Sequence, residues 1–352
     1  MQVPSFLGPV IILVLTLIFS ICMLSYFLCI KSSARNRSGC SDGRVTTTTP
    51  VSLLEVKVTL PVEVICGDKI VVDKYDPREL AQIPKTRLGE GTLGSLFKVV
   101  LNCGSIVTIR KIRTELIRGA DDLKLWINFF KEIRDEWLLP ILFSFWYGGE
   151  AYVLYEYMCL GSLEELLHGS EGIQFSPLNW GIRKQIALCA AKAVASIHNQ
   201  LTKNGEALVC GVIKSSNILI GTDFSACLSS YETPYLVPTS LIIRRNHGRI
   251  APELRHGRNY PKNFTQKSDV YSFGVLLLEL ITGKRPSMTN LGEYILEKTK
   301  KDGLKGIYDM EIGEVKENMI GMARVAQLCV SREPKDRPSM DKVVSLIQGL
   351  PE

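Results

Sequence analysis

Residues 88–94 read Leu-Gly-Glu-Gly-Thr-Leu-Gly, and the residues that follow decide how this glycine-rich stretch folds. The G-x-G-x-x-G pattern alone is weak, because dinucleotide sites, other phosphate-binding loops and ordinary turns all contain it. A dinucleotide site would open a helix. Here the glycines precede the apolar and β-branched run 95–101, an Asn-Cys-Gly turn at 102–104 and a second such run at 105–112. This order predicts a β-meander whose glycines bridge two antiparallel strands.

Further motifs follow toward the C-terminus. An apolar segment at 151–158 is typical of a buried strand, and in residues 178–198 the apolar side chains recur at spacings of three and four, which predicts an amphipathic helix. Three short motifs come later in the chain: Ala-Pro-Glu at 251–253, Lys-Ser-Asp-Val-Tyr-Ser-Phe-Gly at 267–274 and Asp-Arg-Pro at 336–338.

With these motifs in this order, the chain resembles the plant receptor-like protein kinase group, especially its leucine-rich-repeat members. The resemblance covers roughly three quarters of the chain. It implies an α+β, two-lobed protein-kinase fold over residues 76–350, with a small β-rich N-lobe at about 76–158 and a larger helical C-lobe at about 159–350. In that family Tyr155 would be the gatekeeper, Glu253 would pair with Arg337, and Asp269 would anchor the catalytic-loop backbone.

Phosphoryl transfer in that family needs a strand lysine, a helix glutamate that holds it, a catalytic-loop aspartate and a metal-binding aspartate. The alignment places Arg110, Trp126, Val212 and Ser230 at these four positions. Arginine is a longer, planar cation, tryptophan cannot form the ion pair, valine cannot take a proton, and serine has no carboxylate. We therefore expect an inactive member of the group, a pseudokinase.

Two alternatives to this alignment stay open. Lys111 could take the lysine role, although neighbouring residues of a strand point to opposite faces. Asp122 or Glu132 could supply the helix acid if that helix shifted by about one turn. The positions of the hydrophobic spine hold apolar or aromatic residues, namely Phe130, Cys210 and Tyr231. Packing groups are therefore kept where charged groups are lost.

The resemblance also gives candidate nucleotide contacts: Gly89, Gly91, Gly94, Arg110, Tyr155, Met158, Lys214 and Asn217. Turn glycines and hydrogen-bonding loop residues explain the same set without a ligand. No metal site is expected, because Asn217 alone is a neutral ligand and Mg²⁺ demands several oxygen ligands. We expect that no cofactor is required and that ATP, where it binds, binds without a metal.

The N-terminal 30 residues contain no charged side chain, and their apolar run from 6 to 30 exceeds the roughly 20 residues that cross a bilayer. A cleaved signal peptide is the alternative, but the basic start and small-residue cleavage site are missing. Basic residues follow at Lys31, Arg35, Arg37 and Arg44, so the positive-inside rule places the rest of the chain in the cytosol. Residues 31–75 would form a juxtamembrane linker, with a strand or two in its second half.

Composition excludes other classes. The 352 residues include 42 Lys and Arg against 36 Asp and Glu, a net charge of +6 without a clustered basic face, so nucleic-acid binding is not expected. The 10 cysteines contain no C-x-x-C pair, which argues against a zinc site and a disulfide framework and favours reduced thiols.

The function predicted from these observations is a single-pass, plasma-membrane pseudokinase that acts as a signalling scaffold or allosteric regulator. Its partners would be other membrane or cytosolic signalling proteins, including active kinases. Two alternatives remain: a weakly active or atypical Ser/Thr kinase, and a nucleotide sensor without turnover.

Overall fold

The computed structural model describes residues 61–67, 74–117, 119–169, 178–211, 213–255, 263–286, 290–309, 312 and 314–351. The predicted membrane helix at 1–30, most of the predicted linker, and Val212 lie outside the described residues. Within those ranges, no helix combines the length and apolar character needed to cross a bilayer.

A six-stranded antiparallel sheet, in the order β1-β5-β6-β4-β3-β2, forms the N-terminal lobe. Its strands are β1 (Val62–Cys66), β2 (Thr86–Glu90), β3 (Gly94–Val100), β4 (Ile106–Ile112), β5 (Ile141–Tyr147) and β6 (Glu150–Glu156). The predicted meander after the glycines is confirmed as β3 and β4. Strand β1 lies in the segment expected to be linker and pairs with β5 at the edge of the sheet.

Two helices accompany this sheet, α1 (Pro77–Gln82) and α2 (Ala120–Glu132). Helix α1 begins where the Asp76 carboxylate accepts a hydrogen bond from the Arg78 amide, with proline at the first helical position. On α2, Leu123, Ile127 and Phe130 recur at helical spacing and are fully buried. This apolar face fixes α2 against the core.

The C-terminal lobe is helical, apart from the hairpin of β7 (Ile218–Ile220) and β8 (Ala226–Leu228). Its helices are α3 (Leu163–His168), α4 (Trp180–His198), α5 (Thr233–Leu236), α6 (Thr239–Arg245), α7 (Gln266–Thr282), α8 (Leu291–Asp302), α9 (Glu317–Cys329) and α10 (Met340–Gln348). Helix α7 is apolar on nearly all sides because it lies in the core. A Cβ atom at Gly274 would lie 2.6 Å from the Cys329 Cβ, so the missing side chain permits the close packing of α7 on α9.

Two anchors expected from the motifs are confirmed in this lobe. Both oxygens of the Glu253 carboxylate accept hydrogen bonds from the buried Arg337 guanidinium, at 2.6 and 2.8 Å. The Asp269 carboxylate accepts the backbone N–H groups of Cys210 and Gly211, at 2.6 and 2.8 Å. The predicted α+β architecture with two lobes is therefore present, and its loop anchors are intact.

Candidate functional site

Arg110 lies on β4, and its guanidinium is buried where the sheet meets the segment after β8. Nη1 is 3.1 Å from the Glu232 Oε1, and Nη2 donates to the Ser230 Oγ at 2.7 Å. The side chains of Arg110 and Glu232 are 4% and 0% exposed, so the ion pair is shielded from water. Both terminal nitrogens that could hold a phosphate already bind protein groups.

Tyr155, the predicted gatekeeper, completes this arrangement from β6. Its hydroxyl donates to the Glu232 Oε1 at 2.9 Å, and its ring centroid lies 5.4 Å from the Arg110 guanidinium carbon. Burial, followed by the nearby Glu232 charge, raises the Tyr155 pKa well above its usual value. The four side chains Arg110, Tyr155, Ser230 and Glu232 form one buried group, called here the Arg110 cluster.

The backbone at Ser230 adopts a left-handed conformation, with φ of 64°. This region is uncommon for residues other than glycine and stores strain on the order of 1–3 kcal/mol. The turn after β8 aims the hydroxyl of Ser230 and the carboxylate of Glu232 at the same guanidinium. The expected metal-aspartate position therefore supplies a neutral hydroxyl to an arginine.

Trp126, at the predicted helix-acid position, lies on α2 and packs on Tyr235 of α5, with ring centroids 4.4 Å apart and the rings tilted by 40°. Phe130 packs on Tyr231 at 5.6 Å and on Tyr235 at 5.2 Å. Aromatic packing thus joins α2 to the segment after β8, and the position expected to hold the helix acid of the strand-lysine ion pair contributes an aromatic ring to this packing. The spine positions predicted to keep their packing do so, since Phe130, Cys210 and Tyr231 are buried.

The structure also decides between the alternatives for Arg110. Lys111 points to the other face of β4, where its Nζ lies 3.2 Å from the exposed Glu150 carboxylate. Among the described residues, the ion-pair partner of Arg110 is Glu232, and neither alternative acid on α2, Asp122 or Glu132, forms that pair. In this structure, neither Lys111 nor the two acids of α2 takes part in the buried ion pair.

The glycine-rich loop is folded inward. Leu93 at its tip is 1% exposed and belongs to the main core, and the Gly91 N–H donates to the Gly94 carbonyl at 2.9 Å. From α6, Arg245 Nη1 donates to the Gly91 carbonyl at 2.7 Å. A Cβ at Gly94 would lie 1.9 Å from the Lys111 carbonyl oxygen, so packing alone requires that glycine; at Gly89 a Cβ would meet open space.

The remaining candidate contacts are Met158, Asn217 and Lys214. The Met158 carbonyl accepts from the Gly161 N–H at 3.1 Å, and the Asn217 carbonyl accepts from the Ser229 N–H at 2.8 Å. Burial lowers the pKa of Lys214 from 10.5 to about 8, assisted by the positive charges of Arg249 and Arg245.

Lys214 makes stability depend on pH. Between pH 8 and 10.5 the unfolded chain keeps a proton on this amine that the folded chain has lost, so the free energy of unfolding contributed by Lys214 rises with pH. We expect the melting temperature of the wild type to rise relative to that of Lys214→Met as the pH goes from 7 to 10. Calorimetry of both proteins checks this, because titration of other groups cancels in the difference. A difference independent of pH would contradict the prediction.

Sequence reasoning identified Arg110 and Ser230 but missed the roles of Glu232 and Arg245. The available signal was Glu232 itself, because the family has a glycine at this position, two residues after the expected metal aspartate at 230. Elsewhere in the C-terminal lobe, potential metal ligands lie within 4.8 Å of one another on His198, Cys210 and Asp269. The Asp269 oxygens already accept two backbone N–H groups, and Oδ2 also lies 2.9 Å from the His198 Nε2, an arrangement that serves as a loop anchor.

Comparisons with known proteins agree with this architecture. The sequence profile of a family described as protein tyrosine and serine/threonine kinase matches residues 83–347. The chain is 33% identical over 288 residues to a probable inactive receptor kinase of Arabidopsis thaliana, and 31% identical over 290 residues to a probable leucine-rich repeat receptor-like protein kinase of that plant. These alignments cover 78% and 79% of this chain but 43% and 42% of the relatives, so the chain spans less than half of their length.

A solved structure is also similar. The kinase domain of maize SIRK1 (sucrose-induced receptor kinase 1), bound to AMP-PNP, superposes with a TM-score of 0.71 at 25% identity. The alignment covers 82% of this chain and 99% of that domain. The resemblance to plant receptor-like kinases, drawn from the motifs, is confirmed.

Proposed function

The chain belongs to the protein tyrosine and serine/threonine kinase family, and we propose that it is a receptor-like pseudokinase that signals by binding proteins. The observation that carries this proposal is the ion pair between Arg110 and Glu232. A nucleotide phosphate entering beside Arg110 would meet the Glu232 carboxylate, and the repulsion of like charges is strong in a buried site. Glu232 therefore binds the cation at the strand position that an active kinase uses to bind the nucleotide phosphates.

Loss of catalytic groups supports the same proposal. A general base typically contributes a factor of about 10²–10⁴ to a rate, and valine at position 212 supplies none. Ser230 offers no carboxylate for Mg²⁺, and its hydroxyl binds Arg110. The buried core and the loop anchors at Asp269 and Glu253 are intact, so the domain can fold and present a surface to partner proteins. Relatives named inactive receptor kinases are consistent with this role.

Nucleotide binding tests the proposal directly. For the purified chain, we expect ATP with EDTA and ATP with excess Mg²⁺ to give the same shift of melting temperature, most simply none. Binding at about 100 times the dissociation constant would stabilise the fold by roughly 2.7 kcal/mol, which is measurable. A shift seen only with Mg²⁺ would contradict the proposal.

The matched variant for this experiment is Glu232→Gln, which keeps the shape of the side chain and removes its charge. Because Arg110 is then an uncompensated cation, ATP should stabilise this variant more than the wild type. Radiolabelled ATP and a general acceptor protein separate the alternatives: labelled acceptor would indicate a weak kinase, and a shift in the wild type without labelling would indicate a nucleotide sensor.

We further propose that residues 6–30 anchor the chain in the plasma membrane with the kinase-like domain in the cytosol. The uncharged apolar run and the basic residues after it support this orientation. Protease added to sealed, right-side-out vesicles should leave the domain intact, and detergent should make it sensitive. Residues 263–265, Asn-Phe-Thr, match the acceptor pattern for N-glycosylation, which takes place on the other side of the membrane. Digestion before detergent, or a glycan on Asn263, would contradict the orientation.

A further inference from the structure

The outer face of α2 carries an apolar groove that the Arg110 cluster does not use. Leu125 and Phe129 on α2 and Ile133, the residue that follows this helix, recur every four residues over about 12 Å, and Leu201 faces them from the loop after α4. The groove has a volume of about 830 Å³, and Leu125 and Leu201 are 51% and 58% exposed. Single exposed leucines are ordinary, but four apolar residues around one concavity indicate a binding surface.

The charges at the rim of this groove are unbalanced. Arg134 and Lys203 are both exposed, and neither forms an ion pair in the part of the chain that the structure describes. Glu132 is the acid among the lining residues. Complementary potentials steer association and select partners, so this rim favours a ligand that carries carboxylates.

From this groove we propose that α2 and the 200–203 loop bind an amphipathic helix of a partner protein, with apolar residues on one face and carboxylates beside them. A ridge at positions i, i+4 and i+8 matches the side-chain spacing of a second helix. The inference deepens the proposed function by naming the surface and the chemistry of the partner. It also connects the groove to the segment after β8, because the ring centroids of Phe129 and Trp126 lie 5.8 Å apart and Trp126 packs on Tyr235.

Two synthetic helical peptides test this proposal against the purified full-length chain in detergent. Both carry leucines at i, i+4, i+7 and i+11; one has glutamates on the flanking positions and the other has lysines. Fluorescence anisotropy should show that the acidic peptide binds at least about tenfold more tightly. Equal affinities, or no binding up to about 1 mM, would overturn the proposal.

Variants localise the binding. Leu201→Asp should weaken the acidic peptide by at least about tenfold, because a leucine that becomes buried gains apolar contact. Leu328→Asp, on the exposed side of α9, is the matched control and should bind like the wild type. The double variant Arg134→Glu, Lys203→Glu should prefer the lysine peptide. Unchanged binding by Leu201→Asp, or an unchanged preference in the double variant, would exclude this groove.

A second copy of the chain is the rival occupant. Self-association that disappears in Leu201→Asp, without peptide, would assign the groove to a dimer and overturn the proposal. These readouts are independent of nucleotide, so a wild type that proved to be an active kinase would refute the proposed function and leave the groove experiment valid.

Discussion

Replacing Glu232 with alanine should lower the free energy of unfolding by about 3–5 kcal/mol, because Arg110 is then a buried cation without its anion. The change also removes the acceptor of the Tyr155 hydroxyl. For a domain of this size the melting temperature should fall by roughly 6–20 °C. Thermal unfolding followed by circular dichroism measures the effect.

The control for this prediction is Glu150→Ala, which breaks the ion pair with Lys111. Both of those side chains are more than 40% exposed, so the loss should stay below about 1 kcal/mol. The double variant Arg110→Met, Glu232→Leu should recover part of the stability, because it removes the stranded charge together with Arg110 Nε and Glu232 Oε2, which lack hydrogen-bond partners. The recovery stays incomplete because the buried hydroxyls of Tyr155 and Ser230 lose their partners. A Glu232→Ala loss no larger than that of Glu150→Ala would contradict the buried pair.

Arg337→Ala should have an effect at least as large, about 3–5 kcal/mol. The guanidinium is fully buried and donates to both Glu253 oxygens and to the carbonyls of Ser331, Lys267 and Arg332. Alanine leaves all of these acceptors without their donor. Circular dichroism melting of the variant beside the wild type checks this prediction.

Two further variants serve as controls for the effect of Arg337→Ala on the melting temperature. Arg332→Ala removes an exposed side chain and keeps the carbonyl that Arg337 contacts, so its melting temperature should stay close to the wild type. Arg337→Lys should fall between them, because an ammonium cannot make the two-pronged contact with a carboxylate. Equal melting of Arg337→Ala and Arg332→Ala would show that the ion pair contributes nothing.

The parts of this fold that sequence reasoning predicted are those coded locally. The glycine loop with its two strands spans few residues, and Glu253, Asp269 and Arg337 lie in short motifs of fixed spacing. Their contacts follow from the family's geometry once the motifs are aligned. The predicted substitutions at the four catalytic positions rest on the same alignment.

Other features depend on distant parts of the chain. Arg110 and Glu232 are 122 residues apart, and their pairing needs the left-handed turn at Ser230, which no local pattern announces. Strand β1 has five residues and finds its partner β5 about eighty positions later, so its pairing is set by tertiary packing. The contact between Trp126 and Tyr235 also depends on tertiary packing, because it joins two helices that meet only in the folded domain.

The Arg110–Glu232 pair also bears on whether such a site could revert. Glycine at position 232 would leave the buried Arg110 without an anion. Lysine at position 110 would give the Glu232 carboxylate a compact ammonium in place of the planar guanidinium. Each single step toward the kinase pattern should therefore pass through a less stable protein, and positions 212 and 230 would still hold valine and serine. Restoring the kinase residue pattern therefore needs simultaneous changes at positions 110, 212, 230 and 232, whereas a surface substitution leaves the buried pair intact.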